Sequence, residues 1–311
     1  MKRRQFIKTT AAASAAFSAM PLMGLAKPAR KYKTVLIGSG WWGMNILNCA
    51  LATGDIKVSA LCDADSRQFN AAADSVEKST GKRPKTYYDY REMLRKEKPD
   101  IAIVGTPDHW HALNAIEAMQ AGAHVYLEKP IGHTINEGKA LVKTARETGK
   151  VVQVGLHRHI SPHNVSGIEF LRQGKAGKIG MVQCFVNYGF PHRPAPAPTD
   201  PPEGLDWDLW CGPAPLLPYN EGIHPKGFRQ YLEFSNGTAA DWGVHWFDQV
   251  LWWTEEKFPK RVSSTGGRAI KDDVTTAPDH QVINFEFEDF TCTWEHRLFG
   301  GSRNENHNVG I

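Results

Sequence analysis

The sequence lacks a cysteine framework. Its five cysteines (Cys49, Cys62, Cys184, Cys211 and Cys292) are widely spaced and form no CxxC pair. An odd, scattered set excludes both a disulfide-stapled fold and a zinc knuckle, and fits small buried residues. Long apolar runs are also missing. None reaches the roughly 18 residues of a membrane helix, so the mature chain shows no span. An excess of one charge is nearly absent. The formal charge is +4, and Lys2, Arg3, Arg4 and Lys8, with no acid among the first 26 residues, account for all of it. A basic face for nucleic acid gains no support. The rest is ordinary: 41% hydrophobic and 23% charged residues, as in a soluble globular chain. A length of 311 residues suits two domains.

The first residues read as an address. Lys2-Arg3-Arg4-Gln5-Phe6-Ile7-Lys8 precedes an Ala-rich, weakly apolar stretch and a small-residue end, Gly24-Leu25-Ala26. These are the parts of an export signal, and the paired arginines resemble a twin-arginine one. The expectation is a signal peptide and linker over 1–30 and a periplasmic or extracytoplasmic location. That route carries folded proteins, so a cofactor would load first and stay bound.

Residues 33–40 run Lys-Thr-Val-Leu-Ile-Gly-Ser-Gly, and the apolar run with Val35 and Ile37 reads as a buried parallel strand. It ends in Gly38-Ser39-Gly40-Trp41-Trp42-Gly43, a GxGxxG opening a helix from about Trp42 to Ala52. A second strand, Ile56 to Leu61, leads to Asp63, twenty-five positions beyond Gly38. Strand, glycine turn, helix and a delayed acid together make a dinucleotide fingerprint. Gly38 makes the tight turn, Gly40 admits the pyrophosphate to the backbone, and Gly43 lets helix and strand pack closely. Asp63 suits the ribose hydroxyls and would repel a 2′-phosphate, which favours NAD over NADP. Arg67 nearby weakens that preference, because it could pair a phosphate.

Further short strands end at Gly105, Leu127 and Val154, with helices expected over 111–120 and 136–148. The 111–120 helix would turn Leu113, Ile116 and Met119 to one face. Such alternation implies a doubly wound parallel sheet, whose ligands sit outside the carboxyl ends of the strands. Thr106, Pro107, His111, Glu128 and Lys129 all occupy strand ends and converge on that crevice with the glycine turn. A Lys just after a strand, backed by Pro130, suits proton relay to or from a hydroxyl. Far downstream, Asp241-Trp-Gly-Val-His245 places a carboxylate and an imidazole four apart on a helix expected over 241–253, with Asp248 one turn on. Metal ligation is the competing use, although no third ligand stands at motif spacing. A helix-bracing pair is the plain structural alternative.

In this order, the glycine turn, Cys62-Asp63, Thr106-Pro107 with His111, Glu128-Lys129-Pro130 and Asp241…His245 resemble the glucose–fructose oxidoreductase/inositol dehydrogenase (Gfo/Idh/MocA) family. The resemblance runs from about residue 33 to the end. It implies an N-terminal Rossmann domain, placed here at 31–153. It also implies a C-terminal α+β substrate domain with an open, mostly antiparallel sheet, placed at 154–311. By the same resemblance Lys129 and His245 are the catalytic acid/base candidates and Asp241 helps hold the substrate. A homo-oligomer is also implied.

Arg158, just after the last Rossmann strand, suits contact with substrate or cofactor, or an ordinary ion pair. A helix over 163–173 and a strand over 181–188 follow. Residues 189–227 then hold ten of the nineteen prolines, so no regular element is expected there. Trp207, Trp210, Tyr219, His224 and Lys226 in this excursion either wall a sugar site or pack on their own sheet or a partner. Strands are expected near 261–265, 281–288 and 291–297, with a turn at Glu288-Asp289. Relatives of this kind usually continue with more strands, so the expectation is a fragment or a variant with a shortened sheet, and an incomplete substrate domain.

The functional expectation is an NAD-dependent oxidoreductase of a sugar or cyclitol secondary alcohol, with tightly bound cofactor and no metal. A redox-neutral glycoside hydrolase, lyase or epimerase working through a transient 3-keto sugar is the alternative. A non-catalytic NAD-binding protein is the third.

Overall fold

The computed structural model describes residues 30–189, 196–300 and 309–310. The twin-arginine stretch lies outside the described residues.

The first half alternates strand and helix: β1 (Tyr32–Ile37), α1 (Trp41–Ala52), β2 (Ile56–Cys62), α2 (Ser66–Thr80), β3 (Lys85–Tyr87), α3 (Tyr90–Glu97), β4 (Ile101–Val104), α4 (Asp108–Gln120), β5 (His124–Leu127), α5 (Ile135–Thr148) and β6 (Val152–Val154). The strands are all parallel in the order β3-β2-β1-β4-β5-β6. Val35, Leu36 and Ile37 are buried, because β1 is central and covered on both faces. Val35 and Ile37 face α3, α4 and α5, while Leu36 faces α1 and α2. Each such side chain contributes about 1.5–3 kcal/mol by leaving water. Local signals set the helix ends. Asp65 and Asp89 cap α2 and α3, and Thr134 and Glu137 form a reciprocal capping box on α5.

Two expectations need correction here. Helix α4 begins at Asp108, three residues before the expected start, since extended Pro107 is a ready N-cap. Leu113 is 39% exposed, not part of a buried stripe; Ala112, Ala115 and Met119 fill that role. The edge strand β3 and helices α2 and α3 add to the elements expected from sequence.

The second half follows a 3₁₀ turn (His157–Ile160). It contains α6 (Pro162–Arg172), β7 (Met181–Asn187), α7 (Trp207–Cys211), a π turn (Ala239–Gly243), α8 (Val244–Thr254), β8 (Arg261–Gly267), β9 (His280–Glu286), β10 (Thr291–Arg297) and β11 (Val309–Gly310). Its sheet runs β11-β7-β10-β9-β8, with β7 and β10 parallel and the other pairings antiparallel. Trp294, Val250 and Phe285 pack between this sheet and α8. The fold is thus an α/β Rossmann-type sheet followed by a mixed sheet backed by helices.

Helix α7 interrupts the proline-rich stretch expected to lack regular structure. The prolines flank it, and Asp206 caps it by accepting from the Leu209 amide at 2.9 Å. The expected single helix over 241–253 is a π turn running into α8. The excursion and the segment that follows it are anchored on the first half. Asp206 donates its amide to the Ala64 carbonyl at 2.9 Å, and Ser235 donates its hydroxyl to Asp108 at 2.6 Å.

Candidate functional site

A cleft of about 720 Å³ opens at the carboxyl ends of the first sheet. That is where a switch in strand order, here between β1 and β4, leaves room for a ligand. The glycine turn forms its floor. Gly38 has φ +87°, and a Cβ there would stand 2.6 Å from the Gly105 carbonyl carbon. A Cβ on Gly43 would stand 1.9 Å from the Gly38 carbonyl oxygen, so only glycine fits. Gly40 differs: a Cβ there would have no neighbour nearer than the Gln68 side chain at 3.9 Å. The space over Gly40 is open and faces the cleft. No side chain caps the N-terminus of α1, so its first amides remain available to an anion.

Asp63 borders the cleft and accepts from the amides of Ser39 at 2.7 Å and Asp65 at 3.1 Å. Burial pushes its carboxyl up to about 6, against the pull of those amides. Arg67 does not line the cleft; its Nε and Nη2 bind Asp65 at 2.8 and 2.7 Å. Trp41 and Trp42 do line it, and the Trp42 side chain bonds Glu128, a buried carboxyl whose pKa burial raises. His111 faces the cleft with both ring nitrogens against carbonyls, Pro130 O at 2.5 Å and Thr106 O at 2.7 Å. It therefore ties the loop after β5 to the loop after β4. Pro107 and Thr106 sit beside it, and the Thr106 hydroxyl bonds Asn114 at 3.1 Å. These groups fit a dinucleotide: an open backbone for phosphate, an acid for ribose and flat indoles beside the mouth.

Lys129 and the π turn meet across the cleft. Lys129 Nζ donates to Asp241 Oδ1 and to the Asp241 carbonyl, both at 2.7 Å. Arg229 Nε donates to the same Oδ1 at 3.1 Å. Burial alone would raise the Asp241 pKa, but these two cations hold it below the usual carboxylate value. With its carboxylate committed to them, Asp241 is poorly placed as a metal ligand. Among the described residues no group of three His, Cys, Asp or Glu side chains could hold a metal. His245 lines the same cleft, its ring 4.6 Å from that of His157. Burial, then the charges of Lys129, His157 and Arg158, depress its pKa to about 3. Its buried Nδ1 has no hydrogen-bond partner among the described residues, and the imidazole that lines the cleft is a neutral base. Asp248, one turn on, bonds His159 at 2.6 Å and does not line the cleft.

The excursion supplies the opposite wall. Trp210 and His224 line the cleft, with Trp207 stacked behind Trp210 at 4.7 Å and Tyr219 edge-on behind Trp207. Burial lowers the His224 pKa to about 4. Lys226 lies over the Trp41 ring at 5.7 Å, closing the wall onto the glycine turn. Arg158 faces the cleft and makes no ion pair among the described residues, its guanidinium 3.7 Å from the centre of the Trp246 ring. Arg229, His157 and Asp108 also line the cleft and were not anticipated. None belongs to a motif, and only the folded chain brings Arg229 to Asp241.

Comparison with known proteins agrees with this geometry. Residues 32–156 match the family model described as an oxidoreductase family, NAD-binding Rossmann fold. Residues 187–306 match its companion, an oxidoreductase family C-terminal alpha/beta domain. A glycosyl hydrolase family 109 protein of Stenotrophomonas maltophilia is 31% identical over 238 residues, covering 74% of this chain and 49% of its own. An alpha-N-acetylgalactosaminidase of Shewanella oneidensis is 27% identical over 167 residues, 52% of this chain and 36% of its own. The chain spans about half, or less, of the length of these curated relatives. Among solved structures, the WlbA dehydrogenase of Bordetella pertussis, in complex with NADH and UDP-GlcNAcA, superposes with TM-score 0.68 at 21% identity, over 88% of this chain and 72% of that one. The myo-inositol 2-dehydrogenase of Lactobacillus plantarum gives 0.65 at 18%, over 86% and 71%. At such identities the structures speak for the fold alone. The two family models follow one another along most of the chain, and the chain belongs to the Gfo/Idh/MocA oxidoreductase family.

Proposed function

We propose that this chain binds NAD in the cleft and oxidises a secondary alcohol of a sugar or cyclitol ring. The contact between Lys129 and Asp241 carries the reading, because it joins the Rossmann half and the second half inside one cleft that His245 also faces. Bound NAD supplies the hydride acceptor. Asp63 would accept from the ribose hydroxyls, and the amides at the start of α1 would hold the pyrophosphate. Arg67 is spent on Asp65 and so is not free to pair a 2′-phosphate, which supports NAD over NADP. Lys129 and Asp241 would position the ring hydroxyl, and neutral His245 would take its proton as the carbinol hydride leaves. Lys226 and His224 would cover the nucleotide, consistent with a tightly held cofactor and with export of a loaded protein.

A second reading keeps the same first step. The relatives named as family 109 glycosyl hydrolases and as an alpha-N-acetylgalactosaminidase favour a redox-neutral cycle. A ring ketone acidifies the neighbouring C–H. A base removes that proton, the aglycone departs, water adds, and the hydride returns to the ketone.

The two separate in one experiment. Protein purified without added coenzyme, then supplied with NAD, is offered sugars, cyclitols and aryl glycosides. Reduced-nicotinamide absorbance that persists with a sugar and clears with a ketone supports net oxidation. Aglycone release without net absorbance change supports the second reading. NAD binding with neither outcome contradicts both.

A further inference from the structure

Four buried side-chain nitrogens lack any hydrogen-bond partner among the described residues: Arg158 Nε, Asn164 Nδ2, His245 Nδ1 and Trp246 Nε1. They are not scattered. Arg158 lies in the 3₁₀ turn after β6, Asn164 in α6, and His245 and Trp246 in α8, three elements packed on one another. Three of the four are obligate donors. Of the four residues Arg158 and His245 line the cleft, with Asn164 and Trp246 packed behind them, so the wall here is short of acceptors where buried donors are normally paired.

Asp241 is the carboxylate nearest the reacting side chains, and it is shared by Lys129 and Arg229. The other carboxylates of the cleft, Asp63, Asp108 and Glu128, are engaged away from Arg158, with the Ser39 amide, the Ser235 hydroxyl and the Trp42 side chain. Arg158 pairs with no carboxylate among the described residues. Its guanidinium stacks on Trp246 at 3.7 Å, and burial depresses even its high pKa. The guanidinium over this indole has its Nε buried, so the two Nη groups form the planar fork it can offer to the cleft. A sugar hydroxyl would satisfy one hydrogen bond but leave the charge uncompensated. A carboxylate matches both the fork and the charge.

We propose that the substrate is an acidic sugar, a ring bearing a carboxylate, and that the edge of Arg158 receives that carboxylate beside His245. The inference rests on the proposed function, since it names the substrate class of the same cleft. Arg158 thereby becomes the specificity-determining residue, separate from the groups that move the proton.

The test compares hexuronates with their matched neutral hexoses and hexose 6-phosphates. Binding to the NAD-loaded protein is measured by calorimetry, and turnover is measured with the same compounds. The expected result is that one or more hexuronates bind and react at least about 100-fold better than the matched hexose, as a site built for a charged group discriminates. Arg158→Met should bring that ratio close to one. Arg158→Lys, which keeps the charge and loses the fork, should fall between. NAD affinity should barely change in either variant. Hexuronates that bind no tighter than hexoses would overturn the inference whatever the turnover. So would a preference for the phosphates, or a loss of NAD affinity in Arg158→Met, which would assign the guanidinium to the cofactor instead. Selective hexuronate binding with neither hydride transfer nor glycoside cleavage would count against the proposed function and leave this inference standing.

Discussion

Lys129 Nζ lies 2.7 Å from both the carboxylate and the main-chain carbonyl of Asp241, a residue 112 positions further along the chain. The lysine follows a strand of the first sheet, and the aspartate sits in a π turn that leads into the helix backing the second. One ammonium group thus joins both halves at the cleft.

Lys129→Met keeps most of the unbranched apolar stem and removes the ammonium donors. Turnover should fall about 10²–10⁴-fold, the range for losing a positioned proton-transfer group. NAD affinity, measured by quenching of tryptophan fluorescence, should stay close to that of the unaltered protein. A variant with normal turnover would remove Lys129 from the mechanism.

The glycine turn predicts a contrast between neighbours. Gly43→Ala drives a methyl to 1.9 Å from the Gly38 carbonyl oxygen, so the thermal midpoint should drop, with a cost of about 1–3 kcal/mol or more from overpacking. Gly40→Ala has room in the free protein and should leave the midpoint unchanged while NAD binding weakens at least tenfold, about 1.4 kcal/mol. Equal effects on both properties in both variants would contradict the assigned roles.

Asp63 gives the cofactor site a pH signature. Burial raises its carboxyl to about 6 in the free protein, so it is charged above that pH and protonated below it. The charged form is the better acceptor for ribose hydroxyls. NAD affinity should therefore be full above pH 6 and decline as pH falls through it, by up to about tenfold per unit. A carboxyl at its ordinary 3.8 would show no change between pH 7 and 5. Asp63→Asn should flatten the profile.

The framework was legible because its signals are local. The apolar run into Gly38, the glycine spacing, Asp63 and the strand ends at Thr106 and Lys129 each follow from a few adjacent residues. Once strands alternate with helices, the topology gathers them at one edge of the sheet. Other parts were not legible. The π turn at Ala239–Gly243 has no sequence periodicity of its own, so an α-helical spacing described Asp241 and His245 only approximately. Arg229 comes from a stretch without a motif and gains its role from Asp241. Arg67 showed the reverse failure: it stands at a suggestive distance from Asp63, but Asp65, two residues before it, captures the guanidinium first. Trp207 and Tyr219 proved to support Trp210 rather than to face the cleft.

His245 sets the acid limb of the reaction. Its pKa is depressed to about 3, first by burial and then by the surrounding cations. The imidazole is thus neutral, and able to accept a proton, throughout the ordinary pH range. With NAD saturating, kcat/KM for the sugar should show no loss attributable to this residue between pH 8 and about 5. A limb near 6.5 that vanishes in His245→Gln would show that the ring titrates normally and that the cations of the site do not act on it as described.

The central claim is that a ring carbinol and the nicotinamide meet in this cleft. The most direct measurement uses sugars deuterated at the ring carbons, a single turnover on the NAD-loaded protein, and mass analysis of the recovered cofactor. The account predicts that deuterium from one ring position appears in the reduced cofactor, or returns to that carbon in released product, and that Lys129→Met abolishes the transfer. Turnover of the labelled sugar with no deuterium passing through the cofactor would contradict it.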